Sequence, residues 1–121
     1  MGEVPGEYCP GGYSVNARGR LKLAGIGQKL IKEGAHLGGV IVVGESARVR
    51  EALVPVYGAL GIDWNPATAG SVEDVADGVR MREVEDALLN ELAERYELEE
   101  WELDGATLEM ARRLAPEHRS P

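Results

Sequence analysis

Phenylalanine is missing from this 121-residue chain, and cysteine occurs once, as Cys9. With Phe 0, Trp 2 and Tyr 4, the core has to be aliphatic, and Gly 16 points to a loop-rich fold. A single thiol excludes an intramolecular disulfide framework. Two separated histidines, His36 and His118, offer no metal-ligand cluster, so no metal site is expected. No apolar run is long enough to span a bilayer, and Met1–Pro5 has neither a basic n-region nor an apolar h-region. These absences lead us to expect a reducing, cytoplasmic setting without a membrane partner. Positive charge is also scarce. Lys and Arg number 13 against 21 Asp and Glu, and a net charge of -8 argues against nucleic acid as a partner.

That charge is unevenly placed. Residues 1–60 carry a net +2 and residues 61–121 a net -10. The acidic half reads most simply as a solubilising surface, while the less acidic half is compatible with an acidic partner docking beside Lys22.

The periodicity predicts an α+β chain with a small antiparallel sheet packed by helices, followed by a helical tail. Tyr13–Val15 and Leu21–Ile26 read as strands joined by a hairpin at residues 16–20, with Gly19 free to take a positive φ. Residues 28–32 either extend the second strand or form a helical turn. After a turn at Glu33-Gly34, the apolar run 37–43 reads as a strand covered on both faces. Val49, Leu53, Val56 and Leu60 recur at helical spacing, with Ser46 as the expected N-cap, Pro55 as a source of a kink near Val54, and the sheet as the packing surface.

Further along, Gly61–Gly70 reads as a loop and Ser71–Asp74 as the cap of a short helix. Met81 to Tyr96 reads as an amphipathic helix, Leu98 to Leu103 as a strand, and Asp104 as the cap of a last helix ending near Ala115. Composition and pattern lead us to expect one domain, since no repeat or low-complexity linker marks a boundary, with Gly61–Gly78 as the expected hinge.

Chemistry concentrates near the start. Cys9 reads either as a quiet structural thiol or as a nucleophile. Its setting before Pro10-Gly11-Gly12 favours a tight turn that holds the side chain outward near backbone amides. Lys22 reads either as an exposed strand lysine or as the cation that assists that thiol. Strict alternation puts Lys22, Ala24 and Ile26 on one face and Leu21, Leu23, Gly25 and Gly27 on the other. Two adjacent missing side chains mark a close backbone crossing or a ligand groove. His36 reads as a solvated edge residue, and Trp64 and Trp101 as packing anchors.

The run Glu7-Tyr8-Cys9-Pro10-Gly11-Gly12-Tyr13-Ser14, followed by Lys22-Leu23-Ala24-Gly25-Ile26-Gly27-Gln28, then Gly34-Ala35 and an apolar strand, resembles the biotin/lipoate protein ligase superfamily. The similarity is greatest to its lipoate-protein ligases and octanoyltransferases and extends over residues 6–75. It implies the C-terminal part of a class II synthetase-like catalytic domain, and with it a division into residues 1–75 and an acidic helical extension, 76–121. Cys9 and Lys22 take the catalytic positions, and Tyr13, Ser14, Ala24, Gly25 and Gln28 the substrate-binding ones.

In the cysteine-dependent branch the thiolate attacks the acyl carbonyl, and the resulting thioester is aminolysed by an acceptor lysine, with Lys22 stabilising charge or relaying a proton. The resemblance implies lipoate or octanoate as the transferred group, with ATP and magnesium only in the ligase branch. It implies lipoyl-domain partners: the glycine-cleavage H protein and the E2 domains of 2-oxoacid dehydrogenases. The Arg-rich, triple-glycine half of the family's domain has no counterpart here. The alternative expectations are therefore a fragment of a longer enzyme, a split enzyme whose second chain supplies that half, or a non-catalytic remnant or interaction module that completes or regulates a partner ligase.

Overall fold

A computed structural model describes residues 1–118. The protein is α+β, with, among the described residues, a three-stranded antiparallel sheet of order β1-β2-β3 and three α-helices. The strands are β1 (Val15–Ala17), β2 (Leu21–Ile31) and β3 (Gly34–Ile41), and the helices are α1 (Ser46–Leu60), α2 (Met81–Ala93) and α3 (Gly105–Leu114). The chain divides into two compact units, Met1–Leu88 and a second beginning at Leu89. No helix among the described residues is long and apolar enough to cross a membrane.

The first hairpin is tighter than its sequence suggests. Arg18 (φ 54°) and Gly19 (φ 66°) both take left-handed backbone, and the Arg20 N–H donates to the Ala17 carbonyl at 3.0 Å. These two positive φ values turn the chain within a three-residue loop, 18–20. Asn16 and Ala17 are thereby freed to pair with Lys22 and Leu21, which shifts β1 from the expected 13–15 to 15–17. Residues 28–32 resolve as strand up to Ile31, the second turn falls at Lys32-Glu33, and β3 starts three residues earlier than expected and ends at Ile41.

Two expectations about packing fail. β3 is not covered on both faces: Leu37 is 70% and Val40 68% exposed. Nor does α1 lie on the sheet. It contacts the short 3-10 turn Pro66–Thr68 and no strand, because its one buried apolar residue, Tyr57, points at the Cys9 loop. Pro55 leaves α1 one continuous helix. Ser46 sits inside the helix rather than capping it. Glu45 occupies the N-cap at φ 53° without a side-chain cap bond.

The core of the first unit is small and mixed. Val4, Ala24, Val43, Tyr57 and Ala69 are buried together with Glu7, Ser14, Lys22, Ser46, Thr68 and Ser71. Its second half is a loop threaded along β2. The Gly70 N–H donates to the Lys22 carbonyl at 3.0 Å, and a Cβ on Gly70 would lie 2.8 Å from Leu21 Cβ, so only glycine passes there. Ser71 and Asp74 bond each other as expected of a cap, but a turn follows rather than a helix.

α2 ends at Ala93, three residues before the expected Tyr96. Asp104 caps α3 as expected, accepting from the Thr107 N–H at 2.6 Å, and a 3-10 turn spans Ala115–His118. Residues 97–104 form no strand, and Trp101 is exposed rather than a packing anchor, since no neighbouring strand is present to pair with them.

Candidate functional site around Cys9

The site is built on one buried carboxylate. Glu7, only 3% exposed, accepts through Oε1 from the Gly11 N–H (3.1 Å), the Ser14 hydroxyl (2.5 Å) and Lys22 Nζ (3.2 Å), and through Oε2 from the Val4 N–H (3.1 Å). These bonds draw residues 4–14 into a closed loop around the side chain. Burial works against the carboxylate, but the bonds from Ser14, Val4, Lys22 and Gly11 outweigh it and hold the Glu7 carboxyl below its ordinary value.

Lys22 closes the loop from β2 and is 2% exposed, not an exposed strand lysine. Its three ammonium protons are matched by Glu7 Oε1, the Tyr8 carbonyl (2.9 Å) and the Cys9 carbonyl (2.7 Å). The ammonium also lies 4.8 Å from the Tyr8 ring centroid, a cation-π contact. A register shift in β2 opposite Val15/Asn16 breaks the expected alternation. The Lys22 side chain consequently runs beside Gly25, where a Cβ would sit 3.3 Å from Lys22 Cε. The missing side chain of Gly25 thus accommodates the lysine, whereas a Cβ on Gly27 would meet nothing within 4 Å.

Cys9 is exposed and holds a left-handed backbone at φ 42°, a conformation that costs a non-glycine residue about 1–3 kcal/mol. Its carbonyl is fixed by Lys22 and its N–H donates to Tyr57 Oη at 2.7 Å. Tyr57 Oη also lies 3.5 Å from Cys9 Sγ. Either group can donate in that contact. The hydrogen bond to the Cys9 sulfur and burial raise the Tyr57 pKa. Trp64 braces both tyrosines, tilted on Tyr57 with ring centroids 5.1 Å apart and edge-on to Tyr8 at 6.0 Å. Trp64 is therefore the expected packing anchor. Burial, followed by the nearby Cys9, Glu7 and Tyr57 groups, raises the Tyr8 pKa.

The amides expected to receive an oxyanion are largely engaged. Those of Cys9 and Gly11 go to Tyr57 and Glu7, and Pro10 has none. Ser14 and Gly25 join the site through Glu7 and Lys22, and Ala24 is buried beside them. Tyr13 is 72% exposed. Gln28 is exposed on β2, paired with Leu37, and six residues of strand at about 3.3 Å each separate it from Lys22. A cavity of about 790 Å³ lies elsewhere, lined by Arg18, Arg20, Leu21, Asn65, Thr68 and Asp74 among others, and does not include Cys9. Among the described residues no cluster of potential metal ligands occurs.

Sequence reasoning missed Tyr57 and the role of Glu7. Tyr57 was detectable in principle, since it continues the four-residue spacing of Val49 and Leu53. Nothing local marks Glu7, whose partners lie up to 15 residues away. No protein family, curated protein or solved structure matches the chain in comparisons of sequence and fold.

Proposed function

We propose that this chain takes part in protein lipoylation, moving an octanoyl or lipoyl group to the lysine of a lipoyl domain through a thioester on Cys9. The supporting observation is a solvent-facing thiol on a strained residue whose N–H and C=O are both fixed, by Tyr57 and by the buried Lys22. A reactive group needs such fixation, because an unrestrained nucleophile loses the advantage of orientation. The Cys9 thiolate forms a C–S bond to the acyl carbonyl as the donor amide C–N bond breaks and the leaving lysine takes a proton. The acceptor lysine then forms a new C–N bond, the C–S bond breaks, and the amine proton returns to sulfur. The donor in this reading is an acylated glycine-cleavage H protein and the acceptor an E2 lipoyl domain. ATP and magnesium enter only if the chain belongs with the ligases. Lys22 acts through the Cys9 carbonyl, and direct contact with the acyl group requires it to exchange one of its three bonds.

The test is transfer from octanoylated H protein to an apo lipoyl domain, read by intact mass, with and without ATP and magnesium. We expect ATP-independent transfer, an octanoyl adduct on the wild-type chain, and neither with Cys9→Ala. Transfer that survives Cys9→Ala sinks the thioester route. A second reading, a non-catalytic module that completes or regulates a partner ligase chain, is favoured by the uncovered apolar surface of β2 and β3. It predicts no adduct on Cys9, and transfer only when a chain bearing an Arg-rich, triple-glycine segment of the ligase family is added, unaffected by Cys9→Ala.

A further inference from the structure

The free edge of β3 is unlike the other edges of the sheet. β1 is three residues long, and the unpaired side of β2 beyond Ala24 carries Lys29, a charge that disfavours added strands. β3 runs for eight residues, Gly34-Ala35-His36-Leu37-Gly38-Gly39-Val40-Ile41, with no Lys, Arg, Asp, Glu or Pro. It therefore lacks the features by which proteins blunt an open edge. The Val42 N–H donates to the Leu23 carbonyl, so by antiparallel alternation the backbone groups of Ala35, Leu37, Gly39 and Ile41 point outward.

We propose that β3 pairs with β3 of a second copy, antiparallel about a twofold axis at Gly38. In that register Ala35 lies opposite Ile41, and Leu37 opposite Gly39, so each large side chain meets a small one and all four outward residues are hydrogen-bonded. Most other registers leave outward groups unpaired or set Leu37 against Ile41. The strand is its own steric complement. Because it bears no charged carboxylate or ammonium, pairing brings no like charges together even in a chain of net charge -8. A twofold contact is also closed: each copy uses its β3 edge once. The inference stands whether or not Cys9 carries an acyl group.

Sedimentation equilibrium of the full chain across the micromolar range tests this, with hydrogen exchange of the β3 amides alongside. We expect a dimer with protected amides at Leu37 and Gly39, and a monomer for both Leu37→Lys and Leu37→Pro. Proline at an outward position removes a donor from the free edge and leaves the β2 ladder intact. Gly38 faces itself across the axis as a non-hydrogen-bonded pair, at a Cα separation of about 4.5 Å, which a disulfide accommodates. Gly38→Cys in a Cys9→Ser background should therefore oxidise to a covalent dimer.

A wild-type chain that stays monomeric overturns the proposal, including one whose β3 amides are protected by another segment of the same chain. So does a dimer that persists in both Leu37 variants. Should those variants fail to fold, the Gly38→Cys chain decides: cross-linking supports the pairing, and its absence in a folded chain overturns the register.

Discussion

Lys22 exchanges water for one carboxylate and two carbonyls, and that arrangement fixes what each partner can tolerate. Removing either member of a buried ion pair leaves the other charge without compensation, at a cost of about 3–5 kcal/mol. Lys22→Met should therefore destabilise the first unit by about that amount and release the Cys9 loop, read as a lowered urea midpoint and faster proteolysis near residues 8–12. A loss below 1 kcal/mol would mean that the ammonium does not hold the loop. Glu7 makes a complementary, pH-dependent contribution. Its carboxyl is held below the ordinary glutamate value of about 4.3, so its stabilisation is complete above that pH and declines as the pH falls through the lowered folded value. Asp74 behaves in the same direction: burial opposes its ionisation, but bonds from Ser46 and Ser71 prevail. Thermal unfolding between pH 7 and 3 should show an acid-side loss that is shallower in Glu7→Gln, and an unchanged slope would remove Glu7 from the account. Of these residues the sequence made Cys9 and Lys22 legible, because unusual residue types stand in an unusual order. Their engagement with Glu7 and Tyr57 was not legible, since it depends on contacts between distant parts of the chain.

At the scale of elements, apolar periodicity located each strand and helix of the first 60 residues but misjudged what they pack against. The period of Val49, Leu53, Val56 and Leu60 announces a helix. Val56 and Leu60 are exposed, however, and Tyr57 alone is buried among the apolar residues of α1. Strand limits shifted for a local reason, the left-handed pair at Arg18 and Gly19, which shortens the loop to three residues, 18–20. Glycine was foreseeable at such a turn, whereas arginine was not, since left-handed backbone costs an ordinary residue about 1–2 kcal/mol and asparagine less. Arg18→Asn should raise stability by about 0.5–1 kcal/mol without moving β1 or β2. A loss of stability would show that the Arg18 side chain, which lines the 790 Å³ cavity, makes a contact worth more than the turn. The strand expected at Leu98–Leu103 fails to form for a different reason. Leu98, Trp101 and Leu103 have the composition of a strand, but composition cannot supply a neighbour with which to form a ladder.

For the molecule as a whole, burial is unevenly shared: Val4, Ala24, Val43, Tyr57 and Ala69 are buried, all in the first unit. Neither α2 nor α3 contains a buried residue. Helices of 13 and 10 residues have little stability of their own in water, because nucleation is costly and most helical stability comes from burying an apolar face. Their support here is local: the Asp104 cap and exposed pairs such as Arg95 with Glu91, which contribute at most about 1 kcal/mol each. Stability should therefore be graded along the chain. Hydrogen exchange at neutral pH should find the slowest amides around the buried cluster, at Gly70, Val72 and Glu73, whose N–H groups donate to the Lys22, Val42 and Val43 carbonyls. Amides in α2 and α3 should exchange on the order of 100-fold faster or more, as opening them exposes no core. Asp104→Ala should accelerate α3 and leave the Cys9 loop unchanged. Uniform protection along the chain would overturn this grading.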